Sequence, residues 1–328
     1  MSDDESREGL TYAEAGVDID ASEAATAALI GATEGFEGDF AGLLDIGDRY
    51  LALAADGVGT KLLVAEALEK YSTIGIDCIA MNVNDLVAAG VRPVAFVDYL
   101  AVEEPDDEVS EQIGEGLATG AERADVALVG GETAVMPEVI KGLDIAGTCA
   151  GLAGKDDLFP GEAEVGDVLV GFPSSGIHSN GLTLARQAAT RDHEYTDAFP
   201  PNPERSIGEE LLEPTRIYTD LLDPLQANDC HAAAHVTGGG WTNLTRMGEH
   251  RYEITDPFEA QPVFDFVQDA GNVDDEEMHR TFNMGTGFVA ALAPEDAEVV
   301  VDATDDGRVI GEVAEGEECV AIRGLELD

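Results

Sequence analysis

The alternation of apolar and polar positions divides the chain into two cycles of strand, glycine loop and helix. Tyr50–Ala55 (YLALAA) reads as a buried strand ending at the glycine punctuation of Asp56-Gly57-Val58-Gly59. Helical spacing follows over Lys61–Lys70 and again over Ile74–Ala89. In the second of these, Ile76, Ile79, Ala80, Val83, Leu86 and Val87 form one apolar arc at ~100° per residue. Val94–Val102 reads as a strand, Asp107–Arg123 as a helix, Val126–Val129 as a short buried strand and Ile145–Ala153 as another strand. The second cycle opens with a strand at Val168–Phe172, a loop over Ser174–Gly181 and a helix beginning over Leu182–Ala189. The polar segment KDDLFPGEAEVGD between the cycles places a boundary near residue 165, giving domains 1–165 and 166–328. Strands alternating with helices predict an α/β or α+β architecture. Residues 1 to 10 read as a flexible tail, Gly31–Gly47 as a loop and the proline-rich Asp192–Arg205 as a surface excursion.

The length of 328 residues fits about two domains at ~150 residues each. Charge changes the picture more: 68 Asp and Glu against 17 Lys and Arg give a formal −51. Such a chain repels phosphate backbones and anionic bilayers, so neither nucleic acid nor a membrane surface is an expected partner. Disorder is the usual alternative for so acidic a sequence, but 44% hydrophobic residues with dispersed charges predict a folded chain. Lysine is suppressed to Lys61, Lys70, Lys141 and Lys155, which suggests a halophilic surface. At ~1 M salt the Debye length falls to about 3 Å and the self-repulsion is screened. Cys78, Cys149, Cys230 and Cys319 make no C-x-x-C pair, no apolar run reaches the ~18 residues of a membrane span, and MSDDESREGL is unlike a signal peptide. A soluble, cytoplasmic protein is the expectation.

Candidate chemistry sits where the elements meet loops. On the Ile74–Ala89 helix, Asp77, Met81, Asn84 and Asp85 fall together opposite the apolar arc, without the Glu, Lys and Arg of a typical solvated face. Two carboxylates and an amide among small residues suit a hard divalent cation. Asp56, Gly57, Gly59, Thr60 and Lys61 close a strand and open a helix, where backbone N–H groups and a compact cation can meet phosphate. A tight turn with a surface lysine reads the same residues equally well. Gly130, Gly131 and Glu132 place a carboxylate after a strand; with Asp56 and Asp85, Glu132 would complete a magnesium–nucleotide site. The loop Ser174-Ser175-Gly176-Ile177-His178-Ser179-Asn180-Gly181 offers hydroxyls, an amide and an imidazole to a polar ligand, and no G-x-S-x-G elbow surrounds its serines. His231 and His235 have the i, i+4 spacing of two zinc ligands on a helix, but the intervening Ala-Ala-Ala lacks the glutamate of H-E-x-x-H, so packed or ligand-adjacent histidines are expected.

Read together, these segments resemble the phosphoribosylformylglycinamidine cyclo-ligase (AIR synthetase) family of purine biosynthesis. The resemblance rests on Tyr12–Ala21 (YAEAGVDIDA), Asp56–Lys61 (DGVGTK), Thr73–Pro93 (TIGIDCIAMNVNDLVAAGVRP), Gly130–Pro137 (GGETAVMP), Ser174–Gly181 (SSGIHSNG), Pro214–Tyr218 (PTRIY), Thr237–Trp241 (TGGGW), Gly271–Val273 and Thr281–Gly287 (TFNMGTG). It implies a two-domain protein whose N-terminal sheets form a β-barrel shared by a homodimer, each C-terminal domain being a layered α/β unit. It also implies ATP-dependent closure of formylglycinamidine ribonucleotide to 5-aminoimidazole ribonucleotide, with release of ADP and phosphate. Carried over by position, Asp56, Asp85 and Glu132 look like the Mg²⁺ and phosphate carboxylates, with Asp77 and Asn84 beside them. Lys61 would meet phosphate. Ser175, Gly176, His178, Ser179 and Asn180 match the substrate loop, His178 assisting proton transfer.

One segment departs from the family pattern. Ala27–Gly47 (AALIGATEGFEGDFAGLLDIG) has no lysine or arginine where many members carry a basic, glycine-rich stretch, and K⁺ is a candidate substitute. The rival readings are another ATP-using member of the superfamily, such as thiamine-phosphate kinase or selenophosphate synthetase, and a non-catalytic nucleotide-binding scaffold. ADP formation that depends on substrate separates enzyme from scaffold.

Overall fold

The structure is a computed structural model and describes residues 9–17, 24, 25, 28 and 41–328. Most of the expected tail, and of the loop expected over Gly31–Gly47, lies outside the described residues. The described end of that loop is a strand, β1 (Gly42–Asp45), paired antiparallel with β2 (Arg49–Gly57).

After β2 come a 3-10 turn (Gly59–Lys61), α1 (Leu62–Leu68) and α2 (Ile74–Ala88). Then follow β3 (Arg92–Val102), α3 (Asp107–Ala124), β4 (Ala127–Val135) and β5 (Leu143–Gly154). The five strands form one sheet in the order β1-β2-β5-β3-β4, antiparallel except for β3–β4, whose crossover is α3. At the start of α3, Asp106 accepts the Val109 N–H at 3.0 Å; Asp107 and Glu108 fill the first turn and Arg123 the last, each favourable to the helix dipole. Helices α2 and α3 cross at backbone contact through Gly75, Gly116 and Gly120. A Cβ on Gly116 would sit 2.6 Å from the Ser72 carbonyl, so only glycine permits this approach.

The second half builds a seven-stranded sheet. In chain order its elements include β6 (Val168–Pro173), α4 (Leu182–Ala189), the hairpin β7 (Ala198–Phe199) and β8 (Asn202–Ser206), and β9 (Ala232–His235). They continue with β10 (Arg251–Ile254), α5 (Pro262–Gly271), β11 (Thr286–Leu292), β12 (Arg308–Ala314), β13 (Cys319–Ile322) and β14 (Leu325–Leu327). The order is β14-β13-β10-β12-β6-β11-β9. The architecture is two-domain α/β, as the periodicity predicts.

One expectation changes, the short buried strand at Val126–Val129, and two open points are decided. Every residue of α2 except Asp85 is buried, because its polar side faces β9 and the loops of the second half rather than water. β4 is nine residues long and exposed along nearly its whole length, Val129 to 63%, as the last strand in the order of its sheet. His231 and His235 flank and end a strand, not a helix.

Candidate active site

Four residues stand in one row across the first sheet: Asp56 on β2, Gly147 on β5, Asp98 on β3 and Gly131 on β4. Residues directly opposite one another share a face, and this row faces inward, toward the buried Phe96 and Cys78. Glycine is required twice. A Cβ on Gly131 would overlap the Asp98 carboxylate, and one on Gly147 would overlap the Phe96 ring. On its exposed face the same part of the sheet carries a concavity of about 440 Å³ lined by Val97, Tyr99, Ala146 and Thr148 together with Asp56 and Asp98.

Water reaches Asp56, yet protein surrounds it on most sides. Burial, and then the negative charge of Asp85 on α2, push the Asp56 carboxyl up to about 6, partly offset by the Gly57 N–H donating to its Oδ1 at 2.6 Å. Burial also raises the Asp98 carboxyl. Asn82 fixes the strand end, accepting the Asp56 N–H at 3.0 Å and donating to its carbonyl at 3.2 Å. Asp85 itself is paired with His235 of β9, Oδ1 to Nδ1 at 3.0 Å.

Lys61 and Asp77 take a different place from the one expected. The Lys61 ammonium donates to Asp77 Oδ1 at 2.9 Å and to the Glu213 carbonyl at 2.6 Å, and both side chains are fully buried. Asp77 Oδ1 also accepts the Thr215 N–H at 2.7 Å, the Thr215 hydroxyl at 2.6 Å and the Ser179 hydroxyl at 3.3 Å. This arrangement engages the Lys61 ammonium and Asp77 Oδ1 within the protein and joins the start of α1 and α2 to the loops of the second half. Gly59 adopts φ +68°, and Thr60 meets Thr183 of α4 hydroxyl to hydroxyl at 2.9 Å.

The Ser174–Gly181 loop is also turned inward. Ser175 Oγ donates to the Pro214 carbonyl at 2.6 Å, and the Gly176 carbonyl accepts Asn283 Nδ2 at 2.9 Å. His178, at φ +68°, accepts the Ser175 N–H on Nε2 at 3.1 Å, which places its proton on Nδ1, a buried atom with no partner. Burial holds its pKa well below the ordinary value, with the Lys61 and Arg216 charges acting the same way. His178 is therefore a neutral imidazole whose Nε2 accepts a hydrogen bond from its own loop. Asn180 is the loop residue left beside the glycines of the TGGGW segment, its Oδ1 adjoining Gly238.

Glu132 does not join Asp56 and Asp85 within one chain. It pairs in register with Tyr99, whose side chain is on the exposed face, so Glu132 points away from the inward row. It and Gly130 lie within β4 rather than after a strand. Among the described residues no group of three or more His, Cys, Asp or Glu is placed to hold a metal. The zinc pattern dissolves likewise, His231 meeting Asp167 at 2.9 Å while His235 meets Asp85. Asp98 and the Asp85–His235 contact were missed by sequence reasoning, since both depend on which residues lie opposite each other across the sheet and the cleft.

An acidic row on one sheet, with α2 packed both on that sheet and on β9 of the second, places the chain among two-domain α/β proteins. Residues 38–153 match the family described as AIR synthase related protein, N-terminal domain, and residues 164–323 match its C-terminal domain. The chain belongs to the AIR synthase related family. It is 47% identical to a phosphoribosylformylglycinamidine cyclo-ligase of Methanococcoides burtonii over 97% of this chain and 98% of that protein. It is 48% identical to the enzyme of the same name from Methanosarcina acetivorans, over 94% and 96% respectively. Among solved structures, AaThiL complexed with AMPPCP and TMP superposes with TM-score 0.69 at 17% identity, covering 95% of this chain and 97% of that one. T. maritima PurL complexed with FGAR gives 0.60 at 19%, covering 90% of this chain and 47% of that one. At such identities these two share the fold alone. No helix among the described residues is long and apolar enough to cross a membrane.

Proposed function

We propose that this chain catalyses the ATP-dependent cyclisation of formylglycinamidine ribonucleotide to 5-aminoimidazole ribonucleotide, releasing ADP and phosphate, in the cytoplasm. The reading is carried by 47% identity to a cyclo-ligase over 97% of this chain, together with Asp56 and Asp85 near enough for the charge of one to raise the carboxyl of the other. An amide oxygen leaves poorly. Its phosphorylation by ATP creates a good leaving group, the amidine nitrogen attacks the activated carbon, phosphate departs and the ring closes. Such chemistry asks for positioning and charge neutralisation rather than a covalent nucleophile.

The donor set fits Mg²⁺. Burial first, and then the Asp85 charge, raise the Asp56 carboxyl, and a cation beside the two would relieve that repulsion; Mg²⁺ is typically held by one or two carboxylates with phosphates and water filling the rest. Asp56 and Asp85 would hold it, and bound there it would neutralise charge on the transferred phosphoryl group. Asp98 would border the same ligand, and Asn180 with Gly238 would face the substrate side. Glu132, on the outer face, would act on the far side of the sheet.

That outer face supports a homodimer. Leu53, Val97 and Tyr99 are exposed apolar residues on it, with Val129 of the edge strand beside them, a surface of the kind that a second sheet covers.

The deciding assay measures ADP and 5-aminoimidazole ribonucleotide together from formylglycinamidine ribonucleotide and Mg-ATP in concentrated KCl, with NaCl as the comparison for a K⁺ requirement. Equal yields needing every component support the cyclo-ligase. ADP without the imidazole points to a related kinase, and neither product from folded protein points to a scaffold.

A further inference from the structure

We infer that His235 is a positioning residue for Asp85: it reaches from the second sheet across the cleft and fixes the carboxylate that faces Asp56, so the cation–phosphate site is complete only when the two halves are docked. The inference rests on the reading of Asp56 and Asp85 given above.

His235 ends β9 opposite Phe288 of β11 and is fully buried, whereas the Asp85 side chain keeps 21% of its surface in the cleft. The tautomer follows from a chain of donors. Asn84 Oδ1 accepts the Tyr218 N–H at 2.9 Å, and a backbone N–H can only donate, so the Asn84 amide has one orientation. Its Nδ2 then donates to the Arg216 carbonyl at 2.8 Å and toward His235 Nε2 at 3.3 Å. With Nε2 accepting, the proton sits on Nδ1 and is donated to Asp85 Oδ1 at 3.0 Å.

The ring cannot turn away. Tyr218 packs edge-on against it at 6.2 Å between centroids, and the Tyr218 hydroxyl is tied to the Pro173 carbonyl at 2.9 Å. Gly287 leaves the room this requires, since a Cβ there would overlap that hydroxyl. Asn84 and Asp85 are adjacent on α2, while His235, Arg216 and Tyr218 all come from the second half. One carboxylate oxygen is thus occupied from across the cleft, which restricts Asp85 to the orientation in which its other oxygen serves the ligand. This is the logic by which outer partners orient cation ligands.

The test uses the full chain in concentrated KCl and three variants: His235→Leu, His235→Gln and His235→Asn. Asparagine places an amide N–H near the position of Nδ1, and glutamine near Nε2. The readouts are Mg²⁺ affinity in the presence of ADP by calorimetry, Mn²⁺ binding by electron paramagnetic resonance, and thermal unfolding. The expected result is a cation affinity weakened about 10- to 100-fold in the Leu and Gln variants and largely restored in Asn. Wild-type affinity in folded Gln or Leu protein, or an Asn variant no better than Gln, overturns the inference. Because the readout is cation binding, it is separable from the functional reading. Wild-type protein that binds Mg²⁺ but forms no imidazole product sinks the cyclo-ligase assignment and leaves this inference standing.

Discussion

Lys61 Nζ lies 2.9 Å from Asp77 Oδ1, and neither side chain is reached by solvent. The other three lysines are all at least partly exposed, each against a surface carboxylate: Lys70 with Glu209, Lys141 with Glu103 and Lys155 with Asp45. In a chain that suppresses lysine, the one buried lysine therefore ties the two halves together, its ammonium also donating to the Glu213 carbonyl at 2.6 Å.

Removing one member of that pair leaves an uncompensated buried charge. Asp77→Ala is expected to lower unfolding free energy by about 3–5 kcal/mol, in the absence of any nucleotide. Denaturant unfolding in KCl measures it. A loss under about 0.5 kcal/mol would show that the pair is not what holds the halves together.

Asp85→Asn keeps the size of the side chain and removes its charge. Turnover is expected to fall at least about 100-fold, the scale of one lost electrostatic contact to a transition state. The far-UV circular dichroism spectrum and melting transition should stay close to wild type. Near-normal turnover would take Asp85 out of the site.

His231 donates to Asp167 across 2.9 Å. Burial alone would lower its pKa, but the Asp167 hydrogen bond and charge outweigh burial and raise it above 6.5. Its contribution to stability is therefore complete below pH 6.5 and lost as pH rises through the higher folded value. Melting temperature should decline over that window, and His231→Gln should flatten the decline. An identical slope in the variant would assign the pH dependence elsewhere.

The two required glycines of the acidic row should fail differently. In Gly147→Ala the new methyl meets the packed Phe96 ring, and overpacking of this kind costs about 1–3 kcal/mol. In Gly131→Ala it meets the movable Asp98 carboxylate, so stability should change less and nucleotide affinity more. Parallel melting and ADP-binding measurements on both variants check the contrast.

A charge on the exposed sheet face should oppose association. Val129→Asp is expected to halve the solution mass seen by light scattering in KCl, if the outer face is the dimer interface. A wild-type protein that is already monomeric would refute the homodimer directly.

Much of the secondary structure was legible in sequence. The helix expected to begin at Leu182 does so, the Ile74–Ala89 helix ends one residue early, and the strand read at Tyr50–Ala55 is Arg49–Gly57. Periodicity is a local property, written in residues a few positions apart. Partnership is not. Whether the Asp77, Asn84 and Asp85 side of α2 meets water or protein depended on residues 213–218 and 235, more than 100 positions away. The face taken by Glu132 depended on register, where a shift of one residue sends a side chain to the other side of the sheet. The sequence by itself thus determined the elements, the family motifs and the acidic residues available to a site. Only the tertiary structure decided that Lys61 and Asp77 neutralise each other inside the protein, that Asp98 stands in line with Asp56, and that His235 holds Asp85. Those outcomes follow from long-range packing and strand register, which bring together residues that no local pattern relates.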